Sequence, residues 1–81
     1  MTREEMIEAL SSNTCVVNFT KKDGEIREMT CTRNMNVIPK EKHPKGSGLH
    51  ERVDTAIAAW DTNKGEWRAF VVANVNSFEV M

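Results

Sequence analysis

The sequence predicts a small, mainly β domain in which one short N-terminal helix precedes five strands. Three observations carry that prediction. Residues 14–20, TCVVNFT, alternate apolar and polar side chains as a half-buried strand does. Lys21-Lys22-Asp23-Gly24 and Thr62-Asn63-Lys64-Gly65 both have the composition of tight hairpin turns closed by a left-handed glycine, and both are flanked by apolar stretches. At 81 residues the chain has room for one core, because a domain near this size buries only roughly 60–65% of the surface its unfolded chain exposes.

The helix comes first. Thr2 and Glu5 have capping-box spacing, and Glu4 and Glu5 suit the positive end of a helix, so a helix over about residues 3–10 is expected. Met6, Ala9 and Leu10 fall on one side with Ile7 beside them, a narrow stripe that suits a lid on the sheet better than a partner-binding helix. Ser11-Ser12-Asn13 is expected to break it. If Lys22-Asp23-Gly24 is the loop of the first hairpin, Val17 lies opposite Met29, Phe19 opposite Arg27 and Cys15 opposite Cys31. That register gathers the apolar residues on one face, whereas a two-residue Asp-Gly turn mixes the faces. The two cysteines then read as neighbouring buried thiols, because no C-x-x-C motif accompanies them. With His43 and His50 they do not make a zinc-site spacing, so no metal and no cofactor are expected.

Pro39 should stop regular pairing, and residues 40–51, KEKHPKGSGLHE, form the one long loop. Lys40, Lys42 and Lys45 lie in it beside Glu41, with Arg33 and Arg52 flanking. Most such loops are solvated connections; the functional reading is closure on a phosphate or another anion. The second hairpin lies within residues 53–75, VDTAIAAWDTNKGEWRAFVVANV, the least polar stretch and the one with both tryptophans. With Asn63-Lys64-Gly65 as a three-residue loop, Thr62 pairs with Glu66, Asp61 with Trp67, Trp60 with Arg68, Ala59 with Ala69, Ala58 with Phe70, Ile57 with Val71 and Ala56 with Val72. One face then holds Ile57, Ala59, Trp67, Ala69 and Val71; the other holds Ala56, Ala58, Trp60, Arg68, Phe70 and Val72. Both are apolar, so the hairpin is expected to be covered twice, by the core and by something else. Asp61, Glu66 and Arg68 read as a surface cluster. A helical turn over 73–76 and a last strand over 77–80 complete a single domain spanning 1–81, with its β part over about 14–80. Five strands, with a long loop after the second and one helical turn before the fifth, is the order of small SH3-like and Sm-like barrels.

Composition restricts function. Eleven Lys and Arg against twelve Asp and Glu give a net charge of −1, so no global field attracts nucleic acid and any basic patch is local. MTREEMIEAL lacks the basic start and apolar run of a signal peptide and no stretch is long enough to span a membrane, so a cytoplasmic protein is expected. No enzyme is expected either: tyrosine is absent, and no Ser/His/Asp or paired-carboxylate set stands on rigid elements.

Two binding readings follow. The favoured one is docking of a protein, either a host target or a second copy of the chain, on a face made by Trp60, Phe70 and Val72 with Arg68 and Ala58 beside them. The alternative is an anion site for RNA, single-stranded DNA or a nucleotide signal, including capture of a host immune nucleotide. It would use Arg27, Arg33, Lys40, Lys42, Lys45, Arg52 and Arg68, with Trp60 as a stacking surface. Arg68 has a structural use as well, stacking on Trp60 across the strand pair.

Three stretches, VVNFTKKDGEIREMTCTRN, VIPK and AAWDTNKGEWRAF, carry a resemblance. In this order, with a variable loop between the last two, they resemble a family of small bacteriophage proteins described as WYL-like, with an Sm-like SH3 β-barrel fold. The resemblance covers most of the chain outside the helix and the loop. It implies a barrel and a phage accessory protein in the cytoplasm of an infected bacterium, with no general activity. Larger WYL domains, thought to bind nucleic acid or charged ligands, end in a strand that looks like WRAFVVANV but is richer in arginine. Arg68 and Phe70 match that strand, while Val71 and Asn74 stand where basic residues are common in those relatives.

Overall fold

The computed structural model describes residues 1–43 and 55–81. Helix α1 spans Arg3–Ser12 and is followed by strands β1 Thr14–Thr20, β2 Ile26–Thr32, β3 Ala56–Asp61, β4 Glu66–Val71 and β5 Val75–Val80, with one-turn 3-10 helices at Lys40–Lys42 and Val72–Asn74. The capping box forms as the spacing implies: the Thr2 hydroxyl accepts from the Glu5 amide at 3.2 Å, and the Glu5 carboxylate accepts from the Thr2 amide at 2.8 Å. Ser11 and Ser12 do not break the helix. The Ser11 hydroxyl donates back to the Ile7 carbonyl at 2.8 Å, which lets a serine sit inside a helix, and Asn13 ends the helix by donating both its amide and its side chain to the Ala9 carbonyl. Met6 and Leu10 are buried in the core and Ile7 and Ala9 pack against it, so α1 is a lid.

The first hairpin has the expected register, with Cys15 opposite Cys31, Val17 opposite Met29 and Phe19 opposite Arg27. Its turn is the three-residue, bulged form. The Gly24 amide donates to the Lys21 carbonyl at 2.9 Å, the Lys21 amide to the Glu25 carbonyl at 2.7 Å, and Gly24 has φ of 89°. Cys15 and Cys31 are free and buried. Burial, then the neighbouring Cys15 and Asp61, push the Cys31 thiol up to about 12.

The second hairpin departs from expectation. β3 and β4 pair Asp61 with Glu66, Trp60 with Trp67, Ala59 with Arg68, Ala58 with Ala69, Ile57 with Phe70 and Ala56 with Val71. The loop therefore has four residues, not three. The cause is Asp61, whose Oδ1 accepts from the amides of Asn63 and Lys64, both at 2.9 Å, while its carbonyl accepts from the Gly65 amide at 2.8 Å. A carboxylate that satisfies two loop amides stabilises the longer turn, and Gly65, with φ of 69°, returns the chain. One added residue turns β4 over. Ile57, Ala59, Asp61, Glu66, Arg68 and Phe70 now share the inner face, and Ala56, Ala58, Trp60, Trp67, Ala69 and Val71 the outer.

The tryptophan end of that outer face meets the chain's own connection. The Trp67 indole N–H donates to the Lys42 carbonyl at 2.8 Å, Ile38 is buried, and Trp60 is only 6% exposed, meeting Trp67 edge to face at 5.9 Å. The second cover foreseen for the hairpin is thus at least partly intramolecular. The rest of the basic loop, residues 44–54, lies outside the described residues, and with it Lys45, His50 and Arg52.

The sheet order is β4-β3-β2-β1-β5, antiparallel throughout, with β4 and β5 as its two outer strands. β5 starts two residues earlier than expected, at Val75, after a turn at Val72–Asn74. It follows β1 as far as the Phe19–Val75 pair, across a bulge between Asn18 and Phe19.

Candidate functional site: a cationic cleft at the barrel seam

Where β5 parts from β1, the barrel wall is open. On one side stands the outer edge of β4. The Val72 amide donates to the Thr55 carbonyl at 2.8 Å, and the alternation of an antiparallel ladder then points the backbone groups of Trp67, Ala69 and Val71 away from β3. Among the described residues no strand pairs with that edge. On the other side stands the tip of the β1–β2 hairpin.

Between them lies a cleft of about 340 Å³. Its apolar lining includes Phe19 and Phe70, whose ring centroids are 5.8 Å apart. Lys21, Lys22 and Arg27 border it from the hairpin tip, Arg68 from β4 and Asn74 from the turn before β5; among the described residues no acidic side chain lines it. The cations are not equivalent. Arg68, about one-third exposed, places Nη2 2.7 Å from Glu66 Oε1 and Nε 3.7 Å from Asp61 Oδ2, so its charge is largely matched already. Lys21 lies 3.9 Å from Asp23, both solvent-exposed. Lys22 and Arg27 form no ion pair among the described residues, which makes them the cations with charge to spare.

The four-residue turn builds this cleft. Had the loop been three residues long, Arg68 and Phe70 would share a face with Trp60; with one more residue they point inward to meet Arg27 and Phe19. The docking face predicted from Trp60, Arg68, Phe70, Val72 and Ala58 is accordingly not one surface. Ala58 and Trp60 face outward, Arg68 and Phe70 inward, Phe70 is 2% exposed, and Val72 sits in a 3-10 turn against the core. Arg68 does not share a face with Trp60 in this register; the neighbour of Trp60 across the strands is Trp67. Asp61 is 4% exposed while Glu66 is exposed, so their cluster with Arg68 reaches from the surface into the wall of the barrel.

Of the predicted anion-binding residues, the structure brings Arg27 and Arg68 to the cleft and places Arg33, Lys40 and Lys42 away from it, while Lys45 and Arg52 lie outside the described residues. Lys40 and Lys42 belong to the turn whose Lys42 carbonyl meets Trp67, on the outer face of β4. Arg33 follows β2, its amide bonded to the Leu10 carbonyl at the end of α1. Lys21 and Lys22 were not foreseen as site residues. The signal was available, since two lysines opening a hairpin whose partner strand carries Arg27 stand together at one tip.

Among the described residues no three His, Cys, Asp or Glu side chains are grouped as metal ligands, and no helix is long and apolar enough to cross a membrane. No curated protein and no solved structure matches the chain. A family model does: WYL_2, described as an Sm-like SH3 beta-barrel fold, matches residues 3–76. The five antiparallel strands behind one N-terminal helix agree with that description, and the chain belongs to the WYL_2 family of Sm-like SH3 β-barrels.

Proposed function

We propose that this protein is a non-catalytic binding module that holds an acidic surface of a partner protein at the seam of its barrel. The observation that carries the reading is the cleft itself, where, among the described residues, Lys22 and Arg27 lack acidic partners and no acid lines the walls. A locally positive cleft beside an apolar floor attracts and orients a negative partner even when the net charge is −1. The absence of catalysis is part of the proposal. Its support is that the Cys31 thiol, raised to about 12, supplies almost no thiolate nucleophile at neutral pH, and that the His43 ring is tied to the Ile38 carbonyl at 2.8 Å. The setting, a phage accessory protein acting on a host target in the infected cytoplasm, rests on the resemblance of the three quoted stretches.

A second reading, RNA, single-stranded DNA or a nucleotide, is favoured by the apolar floor between cations, which suits a ring bearing a phosphate. One titration series tests both. An acidic polypeptide, an RNA homopolymer and adenosine nucleotides are titrated into the protein at low and physiological salt, with Lys22→Glu and Arg27→Glu as variants. Binding of the acidic polypeptide that weakens with salt and is lost in both variants is the expected result; preference for RNA or nucleotide transfers the site to the second reading. Binding indifferent to both substitutions removes the cleft from either.

A further inference from the structure

We propose that the seam is completed by strand addition: an extended acidic segment of the partner pairs with the outer edge of β4 and turns a carboxylate into the cleft toward Lys22 and Arg27. This rests on the binding reading above and specifies how the partner is held.

The first support is the state of the edge. Outer strands are usually blunted by lysine, proline or a bulge, because unpaired backbone groups template unwanted pairing. β4, EWRAFV, has no lysine and no proline, and its register with β3 is unbroken. Its one arginine points inward and is held by Glu66 and Asp61, so it does not guard the edge. Ala69, the middle of the outward-pointing set, is exposed and small, leaving its N–H and C=O open to approach. An incoming strand of about six residues matches the length of β4 at roughly 3.3 Å per residue.

The second support is charge. A strand laid along β4 alternates its side chains between the two faces, and those turned inward enter the cleft beside Phe70 and Arg68. Arg68 is already matched by Glu66 and Asp61, so the unmatched cations opposite, Lys22 and Arg27, set the preference for a carboxylate. The floor of Phe19 and Phe70 suits a neighbouring apolar side chain. Main-chain bonds to β4 supply affinity, and the inward acid supplies selection.

The test uses a synthetic peptide alternating glutamate and valine, and its twin N-methylated at every second residue on either edge in turn. N-methylation keeps the charge and removes the donors. The parent is expected to bind, methylation on one edge to weaken it by about tenfold or more, and methylation on the other to leave it unchanged. Ala69→Pro removes an amide that does not bond to β3, and the same loss of about tenfold is expected there. The methylated peptides need no variant, so the test survives if that substitution unfolds the chain. Equal binding of parent and both twins, abolished by Arg27→Glu, overturns strand addition and keeps the cationic cleft. Binding of none of them, or binding unaffected by Arg27→Glu, overturns both. Self-association on dilution series that Ala69→Pro abolishes gives the edge to a second copy, and RNA outcompeting the peptide gives the cleft to nucleic acid; each overturns the inference.

Discussion

The two hairpins invite comparison because their turns are spelled so similarly and are built so differently. Lys21-Lys22-Asp23-Gly24 and Thr62-Asn63-Lys64-Gly65 each end in a glycine at positive φ, 89° and 69° respectively. In the first, the aspartate lies inside the loop and its exposed carboxylate accepts one amide, that of Glu25, at 3.0 Å. In the second, the aspartate is the last residue of β3, is buried, and accepts two loop amides. A carboxylate at the strand end lengthens the loop by one residue, and one residue is enough to send a whole strand to its other face. The side of β4 that meets the core, and the cations that meet across the seam, follow from where one aspartate stands.

Removing each aspartate gives the largest contrast. Asp61→Ala leaves two amides without their acceptor and Arg68 with one partner fewer, and is expected to destabilise the fold by about 3 kcal/mol in chemical denaturation, since bonds to charged groups contribute about 1.5–3 kcal/mol each and partly overlap. Asp23→Ala, at an exposed turn, should cost less than about 1 kcal/mol. Equal costs for the two would break the comparison. Replacing the glycines should instead show the turns alike. Neither Gly24 nor Gly65 has an atom within 4 Å of the position a Cβ would occupy, so Ala there costs only the left-handed conformation, about 1–2 kcal/mol at each site.

Smaller again is Trp67→Phe, which keeps a ring on the outer face and loses the indole bond to the Lys42 carbonyl. A loss of about 1 kcal/mol is expected, with faster amide exchange in residues 40–43 as the local readout. The last effect is absent at neutral pH. Cys31 faces Cys15 in one hairpin and Asp61 in the other, and its thiol titrates near 12 in the folded chain against about 9 when unfolded. The folded state therefore holds a proton that the unfolded chain releases, so stability present below about pH 9 falls as pH rises toward 12, and Cys31→Ala should flatten that fall. A denaturation midpoint constant across that range would contradict the burial of the thiol between the hairpins.

Much of this was legible in the chain. Thr2 and Glu5, the alternation of 14–20, and the bulged first turn each speak through local chemistry, and the structure has them as the residues imply. The end of α1 was misjudged because serine's back-bond to Ile7 makes it a tolerable helix residue where polarity alone suggests a break. The second hairpin was misjudged because both of its faces are apolar. Hydrophobic pattern sets register only when one face is polar, and alanines and aromatics on either side of β3 and β4 satisfied two registers alike. Asp61 decided between them through side-chain bonds that no periodicity shows. The same error hid the site, since Arg68 assigned to the outer face has no reason to be read with Arg27, Lys21 and Lys22.

The register of β3 against β4 is open to direct measurement by NMR, through short Hα–Hα contacts between strands, which arise only at directly opposed residues that share no backbone bonds, with Cα atoms about 4.5 Å apart. The four-residue turn places such contacts between Trp60 and Trp67 and between Ala58 and Ala69. Contacts of Ala59 with Ala69 or of Trp60 with Arg68 in their place would restore the shorter loop, return Arg68 to the outer face and dissolve the cationic seam.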